Sequence, residues 1–191
     1  TPENTLWPGN EEYVAWFVKR IRDVAVLAVQ DLAPASLSYT RGKVKDVAFI
    51  RRYQMKDGSF RTNPGFQNPE IDHALGTPDE NSSLLIIKRE GAPEIGIVNF
   101  QVHPDMIGGS AMSADFPKFV RDTYETLIPN SRCMYINGAQ GDINHVNVHP
   151  RGGYLNGMFM DFDDVSRGYS HAKYMARVVT GGVLQAFDKV Q

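Results

Sequence analysis

The sequence predicts an α/β fold, a layered domain in which a mixed β-sheet is flanked by helices. Three segments repeat apolar residues at helical spacing, and three shorter apolar runs have the length of strands. The helical segments are 11–32, 116–127 and 166–190, and the strand-like runs are 83–88, 94–103 and 133–136. Glu90 to Pro93 is a short connection, so the first two runs form an antiparallel hairpin. Strands mixed with helices, a hairpin among them, indicate a layered α/β domain.

Composition bounds the class of protein. The chain has 191 residues, of which 42% are hydrophobic and 22% charged, enough for one cored domain or a large piece of one. The net charge is −2 without a basic block, which argues against nucleic acid as a partner. No apolar run reaches the length of a transmembrane segment. Cys133, the single cysteine, lies in an apolar run and is expected to be a buried small hydrophobe.

The first helix has clear start and stop signals. Asn10 is a suitable N-cap, Glu11 and Glu12 favour the positive end of the helix dipole, and Pro34 ends the helical pattern. Residues 36–50 alternate, which predicts two short strands around Arg41-Gly42.

The segment 51–81 is rich in glycine and proline, so regular structure is not expected over most of it. Its aromatic residues and arginines favour an ordered, functional loop. Asp115 is predicted to cap the helix that follows it, and 150–164 is predicted to be a loop. Gly181-Gly182 in the last helix would allow close packing.

Polar groups follow two of the predicted strands. His103 ends one strand, and the glycine-rich turn with Asp142, Asn144 and His145 follows the other. In open α/β sheets, ligands bind outside the carboxyl ends of the strands. This edge of the sheet is therefore the candidate site.

Histidine spacing limits which metal sites are possible. His103 and Asp105 would share one side of an extended strand and could hold one metal, or His103 could simply be hydrogen-bonded. The alternating pattern from His145 to His149 indicates extended chain, which places those two about 13 Å apart. Ligands of one zinc ion lie within about 4 Å of each other. His145 is therefore a candidate alone, and His149 is expected at the surface.

Two residues of the turn have alternative roles. Asp142 is either a turn residue or a ligand, base or orienter of a histidine. Asn144 could donate to a developing oxyanion or cap the turn. No serine or threonine lies in this turn. His73 and His171 receive no role from the sequence.

The order of these motifs resembles the N-terminal catalytic domain of neutral/alkaline, non-lysosomal ceramidases, and more closely a set of uncharacterised bacterial relatives. The similarity covers nearly the whole chain. The segments that carry it are 47–53, 55–58, 63–65, 99–103, 113–115 and 141–145.

The resemblance implies a zinc amidase that cleaves the N-acyl bond of a sphingolipid or another lipid amide with a zinc-activated water. It implies that His103 is a zinc ligand and that Arg52 lines the substrate amide. Arg52 and Asn144 would stabilise the oxyanion, and His145 or Asp142 would move the proton; alternatively, His145 would be a second metal contact. The Gly-Asp-x-Ser-Pro-Asn turn of ceramidases matches 141–143, but this chain continues with Asn144 and His145 where the family has serine.

The resemblance also implies that residues 1–191 are a single or partial domain, truncated at both ends, with further zinc ligands outside it. Thr1-Pro2 is expected to be the tail of one ligand segment. The alternative is a non-catalytic module that binds a glycan or glycolipid through exposed Trp7, Phe60 and Phe66. No signal peptide is predicted within these residues. A secreted and a cytoplasmic location both stay open, as does the oligomeric state.

Overall fold

A computed structural model describes residues 10–110, 112–149 and 167–189. The chain divides into two compact units, Thr1–Ala35 and Ser36–Gln191. The predicted loop at 150–164, Trp7 and nearly all of the predicted loop at 1–10 lie outside the described residues.

The first unit contains one helix, α1, from Glu11–Gln30, which confirms the predicted helix. Asn10 occupies the N-cap position, but its side chain makes no capping hydrogen bond. No residue of α1 is buried, and the consecutive side chains of Trp16, Phe17 and Val18 are 51%, 47% and 60% exposed. The predicted apolar stripe is therefore an exposed surface.

The second unit is built on a four-stranded mixed sheet, as predicted. Its strands are β1 (Ser36–Lys43), β6 (Asn81–Lys88), β7 (Glu94–Phe100) and β8 (Ser131–Asn137), in the order β1-β6-β7-β8. The β6–β7 pair is the predicted antiparallel hairpin, β1 is antiparallel to β6, and β8 is parallel to β7. The chain between β7 and β8 contains the helix α2 (Asp115–Leu127), as a parallel connection requires.

Helices cover one face of this sheet. The core joins strand residues such as Leu84, Val98 and Phe100 to the buried sides of α2 and of α3 (Tyr169–Phe187). Most of the predicted stripe of α3 is buried, including Ala172, Met175, Val179 and Val183. On the other face, the side chains of Leu37, Tyr39, Met134 and Ile136 are between 42% and 63% exposed.

The predicted turn at Arg41-Gly42 is wrong, since β1 continues through both residues. Gly42 faces α3, where a Cβ atom on it would lie 2.0 Å from the carbonyl oxygen of Gly182. The glycine is needed for this close approach of strand and helix and not for a turn. The expectation that Gly181-Gly182 allows close packing is confirmed for Gly182.

The segment 51–81 is more regular than the sequence predicts. It contains β3 (Arg52–Met55), β4 (Phe60–Thr62) and β5 (Ile71–Ala74), which form a small antiparallel sheet in the order β4-β3-β5. Its glycines and prolines lie in the turns between these short strands and in the connection from β5 to β6. Two further short strands, β2 (Phe49–Ile50) and β9 (Ile143–Asn144), pair with each other.

Asp115 does not cap α2 from outside; it is the first residue of the helix, and Ala114 takes the N-cap position. Asp115 has a left-handed φ of 50°, which short polar side chains tolerate better than others. Its buried carboxylate accepts from the backbone N–H of Ile107 at 2.8 Å and of Phe116 at 2.7 Å. Asp115 thereby ties the loop after β7 to the start of α2.

Cys133 is buried, as predicted, and burial together with the charge of Glu125 raises its pKa to about 12. We expect the thiol to react with iodoacetamide only after unfolding, even at about pH 9, because the thiolate is the nucleophile. In the unfolded chain, the thiol begins to lose its proton at about pH 8.5. The stability that the buried, protonated thiol contributes is therefore lost as the pH rises from there toward the folded pKa of about 12. Alkylation followed by mass spectrometry, with and without denaturant, tests this. Equal labelling in both conditions would contradict the buried assignment.

None of the helices among the described residues is long and apolar enough to cross a membrane.

Candidate functional site

The carboxyl ends of β7 and β8 meet at one edge of the sheet, as predicted. The strands are parallel with Phe100 opposite Asn137, and the backbone N–H of Gly138 donates to the carbonyl of Phe100 at 3.0 Å. The loop that carries His103 and the turn that carries His145 therefore begin side by side.

His103 is held by the backbone of the turn. Its Nδ1 lies 2.9 Å from the carbonyl oxygen of Ile143, and its backbone N–H donates to the same oxygen at 3.2 Å. A carbonyl oxygen can only accept, so Nδ1 carries the proton and the lone pair lies on Nε2. Metal-binding histidines commonly donate their second ring N–H to a carbonyl in this way. The half-buried ring of His103 therefore has one nitrogen suited to a metal ion.

The chain turns sharply after His103, so the predicted extended geometry from His103 to Asp105 is wrong. The backbone N–H of Asp105 donates to the carbonyl of His103 at 3.0 Å, and β7 already ends at Phe100. The Asp105 carboxylate is directed to His145 instead, with 3.0 Å between Oδ1 and Nδ1.

His145 is the most buried of the predicted site residues with a titratable side chain. It is 1% exposed, its ring centroid lies 5.1 Å from that of His171, and its Nε2 has no hydrogen-bond partner within the described part of the chain. Burial alone would raise the pKa of Asp105. The pKa is nevertheless below its usual value, because His145 donates a hydrogen bond and adds positive charge, and Arg167 and His103 add further positive charge. Asp105 is therefore an anion that binds and orients the His145 ring.

Arg52 and Asp142 form a loose, open pair. Their charged atoms lie 3.8 Å apart, and the side chains are 49% and 47% exposed. The neighbouring Arg51 is bound more closely, with Nε donating to the carbonyl of Gly141 at 3.1 Å. Arg51 thus fixes the turn, whereas the Arg52 guanidinium remains accessible at the surface.

Asn144 has two partners within the protein. Its side-chain Nδ2 donates to Oδ1 of Asn63 at 3.1 Å, and its Oδ1 accepts from the backbone N–H of Val146 at 3.0 Å. The residue is 0% exposed. These contacts favour the turn-capping role over an oxyanion contact.

The turn from Gly141 to His145 is thus the common partner of the predicted site residues. Its first two residues contact the arginine pair, Ile143 holds His103, Asn144 holds Asn63, and His145 binds Asp105. The distant segments 51–63 and 103–105 are joined through this turn. All five of the predicted site residues either belong to the turn or contact it.

Sequence reasoning missed His171 and Arg167. His171 is 2% exposed beside His145, and Arg167 donates to the backbone carbonyl of Asp105. A signal for His171 was present, since it lies four residues before Met175 and so continues the apolar stripe of α3. Arg167 has no comparable signal, because its partner is a backbone atom of a distant loop.

His149, Phe60 and Phe66 lie at the surface, as the sequence indicated, whereas His73 lies on the strand β5 and not in a loop. His149 is exposed, with an edge contact to Tyr53, and His73 pairs with Asp72 on an exposed strand. Phe60 and Phe66 are 60% and 46% exposed. Within residues 10–110, 112–149 and 167–189, no group of three or more His, Cys, Asp or Glu side chains is arranged to hold a metal ion. The described residues supply single donors to a metal and not a complete ligand set.

Comparison with known proteins supports the fold. No protein-family model matches the sequence, and no curated protein matches it. A solved structure of a ceramidase complexed with C2 has a similar fold, with a TM-score of 0.55 over 81% of this chain at 14% sequence identity. The match covers 22% of that ceramidase chain, so this chain corresponds to about a fifth of its length. The sequence resemblance to ceramidases is therefore confirmed at the level of the fold.

Proposed function

We propose that this chain contributes part of the active site of a metal-dependent hydrolase that cleaves an N-acyl amide bond. The observation that carries the proposal is the contact between His103 Nδ1 and the Ile143 carbonyl. This contact leaves the lone pair on Nε2, fixed at the sheet edge, for a metal ion. The fold shared with part of a ceramidase supports an amide substrate. That substrate is either a sphingolipid or another lipid amide.

The imidazole nitrogen at this edge is a suitable ligand for zinc, but it is only one of the ligands that the ion needs. His103 would hold the ion through Nε2, and the remaining ligands would come from outside the described residues. Zinc, when bound, would supply a lowered water pKa and a polarised carbonyl. His103 itself does no proton chemistry, because its Nδ1–H is committed to the turn.

Arg52 is proposed to stabilise the negative charge that develops on the amide oxygen. Its pair with Asp142 is long and half exposed, so the guanidinium can turn toward a substrate at small cost. Asp142 would keep the guanidinium near the turn until substrate is bound. Asn144 would position Asp142 and His145, since its side chain holds the turn that carries both of them.

His145 is proposed to accept a proton at Nε2. Asp105 accepts from Nδ1–H and so fixes the tautomer that has the lone pair on Nε2. The ring is 1% exposed, whereas the Asp105 side chain is 36% exposed. The pair therefore meets the surface at the Asp105 carboxylate, while Nε2 of His145 is buried.

The test is hydrolysis of ceramide and of simple N-acyl amides by a longer version of this chain with flanking sequence, followed by mass spectrometry of the released acid. We expect His103→Ala to lower turnover roughly a hundredfold or more, since even partners of metal ligands are worth 10- to 100-fold. His149→Ala, the same change at an exposed position, should leave turnover unchanged. Equal turnover in the two variants would exclude a role for His103, and the absence of turnover with every amide would exclude the substrate class.

A further inference from the structure

A basic pocket lies between the end of β1 and α3. It has a volume of about 440 Å³ and is open to solvent. The polar residues that line it are Lys43, Lys45, Arg177 and Gln185, and the glycines Gly181 and Gly182 line it as well. None of the side chains that line it is acidic.

The local geometry brings Lys45, Arg177 and Gln185 to the pocket. Lys43 contributes its backbone carbonyl, which lies against Gly182, because its side chain shares the outward face of β1 with Leu37 and Tyr39, whereas Lys45 is exposed just past the strand. Arg177 and Gln185 lie four residues before and after Gly181, which places all three on one side of α3. A Cβ atom on Gly181 would meet no atom within 4 Å, so the floor of the pocket is open at this residue.

The three cations have no anionic partner among residues 10–110, 112–149 and 167–189. No carboxylate there lies within 4.0 Å of the charged atoms of Lys43, Lys45 or Arg177. The acidic residue that follows in sequence, Asp46, contributes to the raised pKa of Tyr174, of which burial is the main cause. The charges of Arg177 and Lys45 beside one concave surface attract an anion, and arginine in particular binds phosphate oxygens in pairs.

The pocket lies at the same edge of the sheet as the candidate site. Lys43 ends β1 opposite Asn81 at the start of β6, and Ser83 of β6 is opposite Asn99 near the end of β7. The end of β1 therefore points the same way as the ends of β7 and β8. An anion bound here would lie on the side of the domain that carries His103.

We propose that this pocket binds a phosphate group, carried either by a soluble ligand or by a lipid headgroup. Arg177 donates two hydrogen bonds to the phosphate oxygens, Lys45 supplies a second charge, and Gln185 adds a neutral donor. Gly181 leaves room for the group beside α3. This site is separate from the proposed amide-hydrolysing function and does not depend on it.

The experiment has two arms, with inorganic phosphate by calorimetry and with vesicles by flotation. The vesicles contain phosphatidylcholine alone or with phosphatidic acid. The variants are Lys45→Gln/Arg177→Gln, which removes two charges, and Gly181→Leu, which fills the pocket and keeps the charges. The matched control is Lys56→Gln/Arg61→Gln, which removes two exposed charges from the small sheet.

We expect both pocket variants to weaken binding roughly tenfold or more, since hydrogen bonds to charged groups are lost, and the control to bind like the wild type. Loss in the phosphate arm assigns a soluble ligand, and loss in the vesicle arm alone assigns a lipid headgroup. Equal binding by wild type and pocket variants in both arms would overturn the proposal. Equal weakening by the control would overturn it too, because it would show attraction to net charge only. Thermal melting confirms that each variant is folded.

Discussion

Gly42→Ala is expected to destabilise the protein by about 3 kcal/mol, the upper end of the usual cost of overpacking a core. A Cβ on Gly42 would lie 2.0 Å from the carbonyl oxygen of Gly182 and 2.7 Å from its carbon. Both atoms belong to the backbone, so neither can rotate away, and α3 would have to move off β1. Urea denaturation followed by circular dichroism measures the change in the free energy of unfolding.

The matched control is Gly181→Ala, one residue from Gly182 on the same helix. A Cβ there meets no atom within 4 Å, and alanine is favoured over glycine inside a helix. We expect this variant to gain about 0.5–1 kcal/mol. If Gly42→Ala were as stable as the wild type, the close contact of β1 with α3 would be wrong.

Asp105→Ala is expected to cost about 2–3 kcal/mol, because it leaves a polar nitrogen of His145 buried without its acceptor. The contribution of the Asp105 carboxylate is present above its unfolded pKa, about 3.9. It is lost as the pH falls through the lower pKa of the folded state. The stability difference between wild type and variant should therefore shrink as the pH falls below about 4.

Asp142→Ala removes a carboxylate from the same site and is the control for Asp105→Ala. Its pair with Arg52 is long and half exposed, so the expected cost is about 1 kcal/mol or less. Denaturation of both variants in parallel gives the comparison. Equal costs would show that the Asp105–His145 contact contributes no more than a surface ion pair.

The regular elements could be predicted because their apolar patterns are periodic. The helices at α1, α2 and α3 and the β6–β7 hairpin are confirmed with small shifts at their ends. The β3–β5 sheet could not be predicted, since its strands are only three or four residues long and lie between turn residues. The sequence predicts a turn at Arg41-Gly42 because the partner of Gly42, Gly182, is 140 residues away and leaves no local signal.

The edge that carries the site could be predicted, but its internal contacts could not. His103 and the turn at 141–145 each follow a predicted strand, so their proximity follows from the sheet. The pairing of Asp105 with His145 depends on the sharp turn after His103, which the sequence pattern does not reveal. Asn63 and Asn144 meet across 81 positions of the chain, a separation at which local patterns have no influence.

The most direct test of the account is the zinc content of the protein, measured by elemental analysis on this chain and on a longer version with flanking sequence. The longer version should bind nearly one zinc ion per chain; His103→Ala should remove it, and His149→Ala should retain it. A longer wild-type protein without zinc, or zinc retained after His103→Ala, would contradict the claim that the turn at 141–145 holds His103 as a metal ligand.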